Sequence, residues 1–201
     1  MNTTTAGRHP FGALGTGARR PVLTAAVFAV TLACGIAQLV HPPLYDHVVR
    51  DASRIDAGQW YRLVTGMFFQ DNRALGLVSN LLWLAVFGTL AERVFSRPKW
   101  LLLYFGCGLF GQVMSYVWLN PVGAGNSMCV VGLIGALAAV VMVASRRYGV
   151  TLPVQFRVMA FAAPVLAVID TLLHDNHGLP LLLGLALGFL VLPAPVEVAQ
   201  E

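Results

Sequence analysis

Four long stretches of this chain contain no Asp, Glu, Lys or Arg. They lie between Arg20 and Asp46, Arg73 and Glu92, Lys99 and Arg146, and Asp175 and Glu197, and they hold 25, 18, 46 and 21 residues. A helix needs about 20 apolar residues to cross a hydrocarbon core of ~30 Å. Because 57% of the chain is hydrophobic and only 11% is charged, a water-soluble globule is excluded. The stretches predict membrane-spanning helices.

The 46-residue stretch is long enough for two helices, and the helix-breaking segment 120–125 divides it. A further span at about 153–173 is weaker, since it contains Arg157, Pro164 and Asp170. Arg157 lies near its end, however, and can extend its guanidinium to the membrane surface. We therefore predict an all-α membrane protein, a bundle of six transmembrane helices at about 21–40, 74–92, 100–119, 127–145, 153–173 and 177–193.

The distribution of basic residues predicts the orientation of these helices, because Lys and Arg concentrate in cytoplasmic loops. With the N-terminus inside, the inner segments hold nine basic and three acidic residues, and the outer segments hold four basic and six acidic ones. Both termini are therefore predicted to be cytoplasmic. Trp100 and Trp118 on the third helix are expected to lie in the two membrane interfaces.

The predicted organisation is a cytoplasmic tail at 1–20, a membrane domain at 21–196 and a short cytoplasmic tail at 197–201. The outer loop at 41–72 is rich in apolar residues, so we expect it to lie in the interface and to be partly helical. A cleavable signal peptide is the alternative interpretation of Arg19, Arg20 and the first apolar stretch. That stretch is longer than a typical signal-peptide core.

The net charge of +4 does not indicate a nucleic-acid partner, because the charges lie between hydrophobic segments. The three cysteines, Cys34, Cys107 and Cys129, lie within apolar stretches and indicate no disulfide framework. We expect the lipid bilayer as the surroundings, and no metal and no cofactor. The composition is compatible with a bacterial inner membrane.

Polar residues of three helices are predicted to meet near the outer face. The second, fourth and sixth helices all run from outside to inside, so their N-terminal ends lie on one side of the membrane. Ser127 begins the fourth helix, His177 begins the sixth, and Asn80 lies about two turns into the second. Neutral histidine is a suitable base for a serine hydroxyl near pH 7. Unpaired backbone N–H groups at the start of a helix can receive a developing oxyanion.

Several segments in this order resemble the rhomboid family of intramembrane serine proteases. They are Gln59-Trp60-Tyr61-Arg62 in the outer loop, Asn80-Leu81-Leu82-Trp83 and Glu92-Arg93 in and after the second helix, Gly125-Asn126-Ser127-Met128 and Val131-Gly132-Leu133-Ile134-Gly135-Ala136 in the fourth, and His177 with Gly184 and Gly188 in the sixth. They are similar to the family's W-R loop segment, its second helix, its G-x-S-G motif with the small-residue helix that follows, and its histidine helix. The resemblance covers about residues 55 to 190.

The resemblance implies a Ser127–His177 dyad with Asn80 as an oxyanion donor. Asn126 is a further candidate donor. Six further residues are expected to support the structure. Gly125 leaves room for substrate, three glycines let the fourth and sixth helices approach each other, and Arg62 and Glu92 fix loops. The six are Gly125, Gly132, Gly184, Gly188, Arg62 and Glu92. No acid is expected behind the histidine, since Asp175 would point away if the sixth helix started at residue 176.

The chain departs from the family pattern at four positions. Gly76 stands where the second-helix H-x-x-x-N pattern has histidine, so one oxyanion-stabilising side chain is missing. Met128 replaces the last glycine of G-x-S-G, and Val131 stands where an aromatic ring is often found. Pro180 takes the place of a small residue that faces the serine helix.

The expected function is hydrolysis of peptide bonds in or near transmembrane segments of other membrane proteins. One alternative is a rhomboid-like pseudoprotease that binds such segments without cutting them, which the changes at residues 76 and 128 favour. Another is a small transporter, which usually carries an internal repeat and polar residues near the midplane. We find no clear repeat, and the polar residues gather toward one face.

Overall fold

The computed structural model describes residues 20–194. The predicted tail at 197–201 and all but the last residue of the tail at 1–20 lie outside these residues. The described part is mostly helical. Its helices are α1 (Val22–Val40), α2 (Leu44–Val48), α3 (Ala52–Asp56), α4 (Arg62–Thr65), α5 (Arg73–Val94), α6 (Arg97–Val117), α7 (Ser127–Tyr148), α8 (Val154–Leu172) and α9 (Gly178–Leu190).

Five of the described helices, α1, α5, α6, α7 and α8, are long and apolar enough to cross a membrane. They lie at the positions of the first five predicted spans. The sixth predicted span corresponds to α9, an apolar helix of 13 residues, which at 1.5 Å per residue is only about 20 Å long. Helices α5 and α6 each contain one wider π-helical turn, at Leu84–Gly88 and Leu102–Gly106.

Helix α7 lies at the centre of the bundle and is the most buried of the five long helices. It packs closely against α9, because glycines replace side chains where the two helices cross. A Cβ added to Gly184 would meet the backbone of Gly132, and one added to Gly188 would meet Ala136. Helix α7 ends at Tyr148, and the left-handed conformation of the following Gly149 (φ +65°) closes the last turn.

The outer loop folds onto the segment that precedes α7. It contains the short helices α2, α3 and α4 and the two-residue strand β1 (Arg50–Asp51). Strand β1 pairs in antiparallel fashion with β2 (Val122–Gly123), with Arg50 opposite Gly123 and Asp51 opposite Val122. Backbone pairing of the two strands therefore holds the outer loop against the segment before Ser127.

Trp100 does not present its ring to the lipid, as a residue of an interfacial aromatic belt would. Its side chain is fully buried, stacks on Tyr104, and donates from Nε1 to the Gly88 carbonyl at 3.0 Å. Close packing of α6 against α5 outweighs the interfacial preference of this indole. Trp118, at the other end of α6, is half exposed.

Candidate active site

Ser127 and His177 lie in hydrogen-bond contact although 50 residues separate them. Ser127 is the first residue of α7, and His177 immediately precedes α9. The Nε2 atom of His177 is 2.8 Å from the Oγ atom of Ser127. The glycine crossing of α7 and α9 brings the two helix starts this close.

The expectation that Asp175 points away from the histidine is wrong. Its Oδ1 atom lies 2.6 Å from Nδ1 of His177 and also accepts the His177 backbone N–H at 2.9 Å. The reason is the position of the helix start. Helix α9 begins at Gly178 rather than at residue 176, so Asp175 lies in the preceding turn, where an aspartate bonds the N–H two residues ahead.

His174 is not part of this arrangement. Its backbone has a left-handed conformation (φ +61°), and its ring packs edge-on against Trp118 with centroids 5.8 Å apart. The preference for His177 over His174 as the partner of Ser127 thus agrees with the geometry.

The segment before Ser127 is held by residues at the end of the outer loop. The Ala124 N–H donates to Oδ1 of Asp71 at 2.6 Å, and the Asp71 N–H donates to the Ala124 carbonyl at 3.2 Å. The Gly125 N–H donates to the Gly66 carbonyl at 2.8 Å. Asp71 was not among the residues predicted from the sequence, and no motif marks it.

Asn80 approaches the serine from α5, and Gly125 makes the approach possible. A Cβ placed on Gly125 would lie 3.4 Å from both Asn80 Nδ2 and Ser127 Oγ. A side chain here would fill the space between the amide and the hydroxyl. The structure therefore brings the predicted Asn80, Gly125, Ser127 and His177 together.

Asn126 is not brought to the same place. It is fully buried at the start of α7, and its Nδ2 donates to the Tyr104 hydroxyl at 3.3 Å in the core. Its side-chain nitrogen is thus engaged with α6 rather than with the Ser127–His177 pair. The N–H groups of Cys129 and Val130 donate to the Asn126 carbonyl at 3.0 and 3.1 Å, so the donors that α7 leaves at its start are the N–H groups of Ser127 and Met128.

The unusual residues Met128 and Pro180 both pack against α6. A Cβ on Gly111 would lie 2.6 Å from Pro180 Cγ and 2.8 Å from Met128 Sδ. Met128 is only 2% exposed, and its sulfur also contacts the Ser115 hydroxyl at 3.8 Å. Gly111 thus provides the space for both larger side chains, which lie in the core. Val131 is half-buried.

Arg62 fixes the outer loop, as expected. It is 1% exposed, and its Nη1 donates to the carbonyls of Asp46 and Val49 at 3.0 and 2.8 Å. Its Nε donates to Gln59 Oε1 at 2.7 Å. One side chain thereby satisfies two backbone carbonyls and one side-chain amide oxygen of the loop.

Glu92 has a different role from the loop fixing that was expected. Helix α5 continues to Val94, so Glu92 lies inside it and is 1% exposed. Its carboxylate accepts the backbone N–H groups of Leu23 and Thr24 at 2.9 and 2.8 Å. A carboxylate at these unpaired N–H groups stabilises the start of α1.

Burial and the neighbouring Asp71 shift the pKa values of two side chains of the outer loop, Arg50 and Tyr45. Burial lowers the pKa of Arg50 to about 10, although the charge of Asp71 opposes this shift. Burial also raises the pKa of Tyr45, and its hydroxyl bond to Asp71 adds to the shift.

Within residues 20–194, no group of three or more His, Cys, Asp or Glu side chains is arranged to hold a metal ion.

The arrangement has the parts needed for nucleophilic catalysis. An imidazole contacts a serine hydroxyl, a carboxylate contacts the other ring nitrogen, and unpaired backbone N–H groups lie at the serine. Such a constellation can deprotonate the hydroxyl and stabilise an oxyanion.

Comparison with known proteins agrees with the resemblance found in the sequence. A family model described as the Rhomboid domain matches residues 57–194. The chain is 33% identical over 93 residues to the rhomboid protease GluP of Bacillus subtilis (strain 168), an alignment covering 46% of this chain and 18% of GluP. It is 27% identical over 137 residues to the putative rhomboid protease YdcA of the same organism, covering 67% of this chain and 66% of YdcA. The chain thus spans less than two thirds of the length of either relative.

Proposed function

Because this chain belongs to the rhomboid family of intramembrane proteases, we propose that it is a serine endopeptidase that cleaves transmembrane segments of other proteins. The chain is an integral, multi-pass membrane protein. The observation that carries the proposal is the 2.8 Å separation between Ser127 Oγ and His177 Nε2. Such a contact lets the histidine take the serine proton as the hydroxyl attacks.

In the first half-reaction, Ser127 Oγ attacks the scissile carbonyl carbon and its proton passes to His177 Nε2. The resulting oxyanion is received by the backbone N–H of Ser127 and by the amide of Asn80. Collapse of this intermediate breaks the C–N bond, and the imidazolium returns its proton to the leaving amine. In the second half-reaction, His177 activates a water that hydrolyses the acyl-enzyme.

Asp175 supports this mechanism as a positioning residue. A carboxylate at Nδ1 favours the tautomer that carries its hydrogen there, which leaves Nε2 free to accept the serine proton. It also stabilises the imidazolium that forms. We therefore propose a Ser127–His177–Asp175 arrangement in place of the dyad that the sequence predicted.

We further propose that α9 is the sixth span and that both termini are cytoplasmic, with the site toward the outer face of a bacterial inner membrane. The positive-inside rule supports this orientation, since Arg93, Arg97, Lys99, Arg146 and Arg147 flank the opposite ends of the helices. Because α9 is shorter than a full-length span, His177 at its start lies deeper in the membrane than the outer ends of the longer helices. Water reaches the site past the polar residues 174–176.

A substrate segment has to unwind before its carbonyl can be attacked. In a helix within lipid, every backbone carbonyl is already hydrogen-bonded to its own chain. Segments that contain glycine or other poor helix formers near the outer face are therefore the preferred substrate class.

The proposal is tested by reconstituting the protein in liposomes with a panel of fluorescent single-pass transmembrane proteins that differ in glycine content near their outer ends. Wild type is expected to cut members of the panel, and Ser127→Ala is expected to cut none. If wild type and Ser127→Ala both bind these segments and neither cleaves them, the proposed peptidase activity is overturned and a binding role is supported.

A further inference from the structure

Gln70 is a buried polar residue next to the candidate active site. It lies at the end of the outer loop, before α5, and is 1% exposed. Its Oε1 accepts a hydrogen bond from Asn80 Nδ2 at 2.5 Å. The side chain of Gln38 on α1 fixes its backbone, since Nε2 of Gln38 donates to the Gln70 carbonyl at 2.6 Å and Oε1 accepts the Gln70 N–H at 3.0 Å.

The contact between Gln70 and Asn80 lies close to the serine. The Cβ position on Gly125 is 3.4 Å from Asn80 Nδ2, 3.4 Å from Ser127 Oγ and 3.7 Å from Gln70 Oε1. These three polar atoms therefore surround one small space beside the start of α7. An amide nitrogen carries two hydrogens. With one of them donated to Gln70, the orientation of the second is fixed.

Gly76 leaves the space that the Gln70 side chain uses. A Cβ placed on Gly76 would lie 3.4 Å from the Cβ of Gln70 and 3.3 Å from that of Asn72. A large side chain at position 76 would compete with Gln70 for this space. Position 76 is the one at which the sequence lacks an expected oxyanion-stabilising side chain.

Only one of the two polar atoms of the Gln70 side-chain amide has a partner among the described residues. Its Nε2 atom is buried and has no hydrogen-bond partner in the described part of the chain. A buried donor without an acceptor is destabilising. The other polar atom of the amide, Oε1, accepts the hydrogen bond from Asn80.

We propose that Gln70 is a positioning residue that orients the Asn80 amide toward the oxyanion, in the space that a side chain at position 76 would otherwise occupy. This inference rests on the proposed serine-protease function. Gln70 acts through Asn80, so its effect is expected in the step in which the oxyanion forms and not in binding.

The test measures the reaction of the full chain in detergent with a fluorophosphonate, which adds to an activated serine through an oxyanion-like intermediate. The limiting rate and the half-saturating concentration are determined for wild type, Gln70→Met, Asn80→Ala and the double variant. Gln70→Met keeps the side-chain length and replaces the strong amide acceptor by a thioether, which accepts only weakly. Thermal unfolding of each variant shows that it is folded.

Gln112 offers a matched control. It is also fully buried, its Nε2 is also without a partner among the described residues, and its Oε1 accepts from Arg50 Nη1 at 2.6 Å. Gln112→Met therefore removes a glutamine of the same kind whose bond leads to the outer loop instead of to Asn80.

Gln70→Met is expected to lower the limiting rate by about 10- to 100-fold with little change in half-saturation. In the Asn80→Ala background the same change is expected to cost less than about twofold, because the two residues act as one unit. An unchanged rate, losses that multiply in the double variant, or an equal loss in Gln112→Met would overturn the inference. A folded wild type that does not react at all would overturn the proposed function itself.

Discussion

The ring of His177 lies between a carboxylate and a hydroxyl: Nδ1 is 2.6 Å from Asp175 Oδ1, and Nε2 is 2.8 Å from Ser127 Oγ. The same Asp175 oxygen accepts the backbone N–H of His177. One side chain therefore fixes both the turn before α9 and the direction of the imidazole. Both ring nitrogens of His177 are therefore engaged in the structure.

Replacing Asp175 by Asn tests this relationship. The amide can donate to Nδ1, which favours the tautomer with its hydrogen on Nε2 and prevents that nitrogen from accepting the serine proton. We expect the rate at which Ser127 is modified to fall about 10- to 100-fold, less than for a fully buried triad acid, since Asp175 is about half exposed and solvent screens its charge. The rate of fluorophosphonate labelling measures the effect.

Asp170→Asn is the control, because it removes the same charge from the preceding helix. The bond between the two residues runs from the Asp175 N–H to the Asp170 backbone carbonyl, so this substitution leaves it in place. Its labelling rate is expected to match wild type. Equal rates for Asp175→Asn and wild type would contradict the positioning role of Asp175.

The crossing of α7 and α9 predicts that Gly184→Ala is severely destabilising. The added methyl would overlap the backbone of Gly132, which cannot rotate away. Overpacking of this kind costs about 1–3 kcal/mol and separates the helix starts that bring Ser127 and His177 together. Thermal unfolding in detergent and fluorophosphonate labelling should both show a loss.

Gly106→Ala provides the comparison for this substitution. Its added methyl would lie 3.6 Å from Leu102 Cδ1, an ordinary contact, and alanine favours a helix over glycine. We expect wild-type or slightly higher stability. If the two alanine variants unfold at the same temperature, close glycine packing is not what holds α9 against α7.

Tyr45 predicts an alkaline dependence of stability. Burial and the bond to Asp71 raise the pKa of its hydroxyl in the folded protein above the ordinary value of about 10. As the pH rises past 10, the unfolded chain releases this proton first, so the free energy of unfolding falls. The stability advantage of wild type over Tyr45→Phe should therefore be full at pH 8 and smaller at pH 11.

Unfolding temperatures at the two pH values measure this difference. Tyr61→Phe removes a half-exposed hydroxyl from the same loop and controls for general effects of alkaline pH. A difference between wild type and Tyr45→Phe that stays constant from pH 8 to pH 11 would show that the hydroxyl bond to Asp71 does not stabilise the loop.

The positions of the long helices could be predicted from the sequence, because charge-free apolar stretches and the helix breakers at 120–125 leave few alternatives. The predicted fourth helix begins at Ser127, where α7 begins. The serine and histidine could also be paired in advance, since helix starts that face the same side of a membrane can meet.

What the sequence did not predict depends on turn geometry and packing. Asp175 was misassigned because a helix start two residues later moves the carboxylate from the far side of the helix into the turn. The burial of Trp100 was not predicted, because spacing along a helix does not show which neighbours cover a ring. Gln38 did carry a signal, since a polar residue within an apolar span is seldom without a partner. The identity of that partner, Gln70, required the fold.

The most direct test of the central claim is labelling of the purified protein in detergent with a fluorophosphonate, comparing wild type with Ser127→Ala and His177→Ala. We predict that wild type is labelled at Ser127 and that both variants, folded to the same extent, are not. Labelling that persists in Ser127→Ala, or a folded wild type that remains unlabelled, would contradict an activated Ser127–His177 pair.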